Sequence, residues 1–220
     1  DATHMRNAST RALASAAGPS TSSSRSPPVD ALATPGAGHL LAQLHAVADS
    51  DRFLFGHQNT GFSSQSAQAR LVVSDVLTSV GGFPAVVGFN LVNLHNRALR
   101  AALQDAQRRG AILTASWEAT NPLTGGNAHD TNDKTVAAIL AGGAATEKWK
   151  RMLDEAAGFL KSLQAPGLLR PFHENTGTSY WWAKGACSAE DFRRLWRLTQ
   201  LHLWERGAHN LLWGYSPAKP

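Results

Sequence analysis

The sequence predicts an α/β protein whose parallel sheet follows the (β/α)8 TIM-barrel plan, and three observations lead there. Short apolar segments alternate with amphipathic helical ones, the pattern of parallel strands covered by helices. Polar residues fall just after the apolar segments: His57-Gln58-Asn59, Asn90, Glu118 with Asn121, His173-Glu174-Asn175 and Tyr215-Ser216. A barrel builds its active face from the C-terminal ends of several strands in this way. No Gly-x-Gly-x-x-Gly turn follows the first strand, so the doubly wound dinucleotide-binding alternative lacks its fingerprint.

Residues 1–38 are rich in Ser, Ala, Thr and Pro, with a polar run at Ser20–Ser24 and the pair Pro27-Pro28. Such a stretch has too little apolar surface to offset the cost of ordering, so a disordered N-terminal segment is expected. The globular part is expected over 39–220, opening on an amphipathic segment from His39 to Ala48. Phe53–His57 reads as the first strand. Ser74 caps a brief helix through Val80 that Gly81-Gly82 ends. Pro84–Phe89 is the second strand, Leu94–Arg109 a helix stopped by Gly110, and Ala111–Trp117 the third strand. Trp149, Met152, Leu153, Ala156, Phe159, Leu160 and Leu163 recur at helical spacing. Leu168–His173 is the fourth strand. Ser188–Asp191 resembles a capping box with a shorter acid and opens a helix through Leu203. Asn210–Tyr215 is the fifth strand. A full barrel takes about 250 residues, so five strands in 220 residues read as strands one to five of eight.

Composition narrows the function classes. Apolar residues make up 43% and charged residues 17%, an ordinary globular balance. The apolar runs are too short for a membrane-spanning helix, and residues 1–17 lack the apolar core of a signal peptide. The net charge of +5 comes from scattered residues such as Arg70, Lys134 and Arg170, with no basic stripe for nucleic acid. The single cysteine, Cys187, excludes a disulfide framework and a cysteine zinc site. The histidines outside the strand ends form no metal-ligand spacing, and a solvated loop explains Asp130 and Asp133 better than a calcium site. No cofactor is implied.

The most informative stretch is Arg170–Gly177, followed by Tyr180-Trp181-Trp182. A carboxylate at a strand end, flanked by His173 and a run of aromatics, suits sugar chemistry. Apolar walls disfavour the charged carboxylate and raise its pKa, and aromatic faces stack on the C–H surface of a pyranose. Taken alone, the stretch reads equally well as Glu174 paired with Arg170 and Trp181 and Trp182 packed in the core.

Other segments break the tie. The chain resembles glycoside hydrolase family 26, whose members are mostly endo-β-1,4-mannanases. The resemblance runs in order through Phe55–Gln58, Ser74–Val76, Pro84–Gly88, Ile112–Trp117, Asn121–Gly126, Arg170–Trp182, Leu195–Arg197 and Asn210–Pro217. It implies a (β/α)8 barrel that cleaves mannan, galactomannan or glucomannan with retention, using two glutamates after strands four and seven. The first corresponds to Glu174 as general acid/base. The nucleophile is expected downstream of this chain, so the 220 residues by themselves are expected to be inactive. His173, Trp117, Glu118, Asn121, Trp181, Trp182, Tyr215 and His57 are the implied sugar-binding residues. The implied setting is secreted or extracellular, and the complete protein is expected to be a monomer. A non-catalytic glycan-binding relative, or a hydrolase of β-xylan or mixed-linkage β-glucan, also fits the sequence.

The chain departs from the family pattern at Glu118, where many members have His, at Asn90, where they have an acid, and at Ser179, where they have Trp. Glu118 is expected to line the groove and not to replace the nucleophile. Neighbouring strands lie about 4.8 Å apart, so Glu118 and Glu174 would approach the sugar from one side, whereas retention needs the two carboxyls on different sides.

Overall fold

The computed structural model describes residues 26–63, 70–71 and 74–218. Five parallel strands form one sheet in the order β1 (Gly56–Gln58), β4 (Val86–Asn90), β5 (Ile112–Ser116), β6 (Gly167–Arg170) and β7 (Leu211–Trp213). Two short strands, β2 (Phe62–Ser63) and β3 (Arg70–Leu71), pair antiparallel apart from it. The helices are α1 (Pro35–Ala48), α2 (Asp75–Val80), α3 (Arg97–Arg108), α4 (Thr135–Leu140), α5 (Ala144–Ser162) and α6 (Ala189–Glu205). Asn90 pairs with Ser116, and Ser116 with Arg170, so the strand ends form one rim.

Helix packing follows the apolar spacing. In α3, Leu99, Ala102, Leu103 and Ala106 form one buried stripe. In α5, Ala145, Trp149, Leu153, Ala156 and Leu160 do the same, and in α6 Leu195, Thr199, His202 and Leu203. Trp149 is fully buried where the helices meet the sheet. Its ring stacks on Trp117 at 5.1 Å and meets Trp181 edge-on at 5.6 Å. Its indole N–H donates to Thr199 Oγ1 at 3.2 Å, so the only polar atom on this large side chain is satisfied. A polar clamp joins α5 to α6: Arg206 Nε and His202 Nε2 both donate to Asp154 Oδ1 at 2.6 Å. The Arg206 hydrogen bond holds the Asp154 carboxyl below the usual carboxylate range.

The caps form as the sequence predicts. Ser74 Oγ accepts from Leu77 N, and α2 ends at Gly81 with φ 67°. Ser188 Oγ accepts from Asp191 N and donates to Asp191 Oδ2, so the shorter acid bonds the cap hydroxyl and not the cap N–H.

Three expectations are corrected. Order begins before residue 39, because Thr34 caps α1 and Pro35 opens it. Ahead of the helix, Asp30 is 5% exposed and accepts from His209 Nδ1 at 2.8 Å, while Thr34 N donates to His209 O. The expectation of disorder over residues 1–25 lies outside the described residues. The first strand is shorter than 53–57: Phe53 is 83% exposed, and the strand starts at Gly56. The fourth stops at Arg170 and not at His173. Pro171 has no N–H for the ladder, and Phe172 and Glu174 take left-handed φ values of 53° and 57°. The helix α4 and the β2–β3 pair were not foreseen.

Trp149→Ala removes the ring that the helices and the sheet share. The expected loss of stability is about 3–5 kcal/mol, read as a lower urea midpoint, whereas Thr199→Val, which strands only the indole N–H, costs about 1–3 kcal/mol.

Candidate active site

The site is built on the turn after β6. Pro171 ends the strand, and the left-handed backbone at Phe172 drives its ring inward against Trp149, Trp181, Trp182, Phe192 and Trp196. Such a conformation is costly for a residue with a side chain and persists where the surroundings over-determine it. Here they do. Glu174 N donates to Ser216 O at 2.7 Å beyond β7, and Gly177 N donates to Glu174 O at 2.9 Å. Trp182 Nε1 donates to His173 O at 2.9 Å. The backbone that carries Glu174 is therefore fixed from three sides, and its side chain is exposed at the rim.

Arg170 does not neutralise that carboxylate. Its guanidinium donates to Thr114 Oγ1 at 3.0 Å and Ser216 Oγ at 3.3 Å. Gly214 makes this path possible, since a Cβ there would lie 3.1 Å from Arg170 Cγ.

His173 sits between the rim and the core. Its Nε2 lies 3.2 Å from the Tyr180 hydroxyl, and its Nδ1 is buried without a partner. Burial holds the His173 pKa below its ordinary value; the carboxylates of Glu118 and Glu174 pull the other way. Burial also pushes the Tyr180 phenol up, and the same two carboxylates add to it. Glu118 and Glu174 thus act on one His–Tyr pair. Glu118 is held there by Asn90, whose Oδ1 accepts from Glu118 N and from Val92 N, each at 3.1 Å.

The remaining expected site residues divide. Tyr215 is 58% exposed at the rim, beside Trp196. Trp117, Trp181 and Trp182 are buried in the core. The aromatics expected to wall the Glu174 carboxyl lie beneath its backbone instead. Asn121 is fully buried and spends its amide on Asp130 O, Thr135 Oγ1, Leu123 N and Thr124 N, so it organises the loop after β5. His57 turns to Thr60, at 2.8 Å, and towards Asp75 on α2. Two rim residues were missed. Tyr180 carries the hydroxyl that meets His173, and His129 stacks on the Tyr180 ring at 4.8 Å. The aromatic run pointed to Tyr180; nothing in the sequence places His129 against it.

A cavity of about 600 Å³ opens beside the turn, lined by Asn175, Trp182, Phe192, Trp196 and Tyr215 among others. Glu118, His173 and Glu174 do not line it. Cys187 does, and burial pushes its thiol up to about 11, which leaves it unreactive at neutral pH. Among the described residues, no three His, Cys, Asp or Glu side chains come together to hold a metal, and no helix is long and apolar enough to cross a membrane.

The family model for glycosyl hydrolase family 26 matches residues 29–220. The chain belongs to glycosyl hydrolase family 26. It is 31% identical over 187 residues to a mannan endo-1,4-beta-mannosidase of Bifidobacterium adolescentis, which covers 74% of this chain and 18% of that protein. The family 26 β-mannanase structure from Bacteroides ovatus superposes with a TM-score of 0.74 at 32% identity, over 84% of this chain and 58% of that one. The catalytic domain of the Bacillus sp. JAMB-750 endo-β-1,4-mannanase gives 0.80 at 26% identity, over 88% and 56%. This family 26 chain therefore spans about a fifth of the length of the curated relative and somewhat more than half of these structures, and its five-stranded sheet is part of a TIM barrel.

The depressed His173 pKa carries a sign. Protonation favours the unfolded state, where His titrates near about 6.5. The stability His173 contributes is present above that pH and is lost as the pH falls through the lower folded value. An NMR titration should place His173 below the ordinary histidine value, and Glu118→Gln should lower it further by removing the larger opposing charge. A His173 midpoint above the ordinary value would contradict this arrangement.

Proposed function

We propose that the full-length protein hydrolyses β-1,4-mannosidic bonds in mannan-type polysaccharides with retention, with Glu174 as general acid/base. The observation that carries the reading is the pinned left-handed turn that presents Glu174 at the rim beside His173 and Tyr180, in a family 26 barrel whose relatives are named as mannanases. In the first step Glu174 protonates the departing glycosidic oxygen while a carboxylate attacks the anomeric carbon. In the second, Glu174 takes a proton from water, which releases the sugar. Retention sets the two carboxyls roughly 5–5.5 Å apart. The fixed backbone keeps Glu174 in place through both steps, so its two roles need no loop movement. His173, with Nδ1 buried and Nε2 on the Tyr180 hydroxyl, supports the rim beside Glu174. No cofactor takes part in this reading, and a polymeric substrate places the reaction outside the cell.

Glu174→Ala in the full-length protein is expected to abolish turnover of mannan. Activity should partly survive on aryl glycosides, whose leaving groups need no protonation. Near wild-type turnover of mannan by this variant would overturn the assignment.

The nucleophile is assigned to a residue outside these 220. Glu118 and Glu174 follow neighbouring strands, β5 and β6, and Glu118 reaches the same His–Tyr pair from the same rim. A fluorosugar inactivator should label a downstream glutamate in the full-length protein, and the 220-residue chain alone should release no reducing sugar. Recovery of the label on Glu118 would refute this.

A further inference from the structure

The rings at the rim form a ladder. Trp182 and Tyr180 stack with centroids 4.6 Å apart and planes 4° from parallel; Tyr180 and His129 follow at 4.8 Å and 25°. Burial falls along the series: Trp182 is 1% and Tyr180 7% exposed, whereas His129 is exposed. The inner rungs are packed in the protein, and the outermost ring meets solvent.

Two further contacts fix that outer ring. His129 N donates to Asn127 Oδ1 at 2.9 Å, which holds the backbone of the loop after β5. His129 Nδ1 lies 2.9 Å from the carbonyl oxygen of Ser179. A carbonyl oxygen only accepts, so Nδ1 carries the proton, and in the neutral ring Nε2 is a bare acceptor. An exposed histidine with no task pays side-chain entropy for such an arrangement. The ladder also stands where the chemistry is, since Tyr180 meets His173 and feels the charges of Glu118 and Glu174. Ser179, which has no ring of its own, contributes the carbonyl that positions this one.

We propose that His129 is a sugar-binding, specificity-determining residue of the groove. A pyranose packs its C–H face on the imidazole as the fourth layer of the ladder and donates a hydroxyl hydrogen bond to Nε2. The inference rests on the glycan-cleaving reading above and adds to it a contact that an aromatic hydrocarbon at the same place could not make. A sugar with a hydroxyl in reach of Nε2 is then preferred over one without it.

The test is steady-state kinetics of the full-length protein on mannotetraose, with His129→Ala, His129→Phe and Glu174→Ala side by side. One ring contact and one neutral hydrogen bond together correspond to a KM raised about tenfold in His129→Ala, with kcat little changed. His129→Phe keeps the ring on Tyr180 and loses only the acceptor, so it should recover part of the KM; it also serves if the alanine variant folds poorly. Wild-type KM in both His129 variants, or a loss confined to kcat, would overturn the proposal while Glu174→Ala still abolishes turnover. Retained turnover in Glu174→Ala would instead bring down the reading on which it rests.

Discussion

The turn at Phe172 joins the core to the chemistry. Its left-handed backbone, directly after Pro171, sets the Phe172 ring inward and leaves Glu174 exposed two residues on. The inward ring touches five other aromatic side chains from the turn, α5 and α6. Glu174 stands at the rim, and His173 lies between rim and core. Because interiors are packed to crystal-like density, the ring cannot shift without moving several others. The position of Glu174 is thereby set by apolar packing that reaches as far as α5 and α6. The strained backbone is the cost, and the hydrogen bonds from Glu174 to Ser216 and from Trp182 to His173 help offset it.

The rim is electrostatically uneven. Two carboxylates act on a buried His–Tyr pair, while the nearest arginine is turned aside to Thr114 and Ser216. Asn90, one of the departures from the family pattern, is a bridge. Its single oxygen takes the N–H groups of Val92 and Glu118 and so ties the ends of β4 and β5 together.

The barrel plan was legible because it rests on periodicity and punctuation. Leu99, Ala102, Leu103 and Ala106 announce their helix, Ser74 and Gly81 bracket theirs, and the polar residues at the strand ends mark the rim. The place of Glu174, His173, Glu118 and Tyr215 beyond the strand ends was legible for the same reason. What escaped depends on direction in space. Trp117, Trp181 and Asn121 follow strands as surface residues do, yet tertiary packing turns them inward. The helix α4 spans too few residues to display a period. His129 meets Tyr180 across 51 positions of sequence, and no local pattern encodes that encounter.

The hydrogen bond between Asp30 and His209 spans 179 positions, nearly the length of the described chain. It closes the floor of the sheet by binding the segment ahead of α1 to the loop before β7. During synthesis the two partners leave the ribosome far apart in time. At about 5–20 residues per second, Asp30 waits roughly 10–40 seconds for its histidine. The contact that holds the segment ahead of α1 to the loop before β7 can therefore form only after α6 has been made.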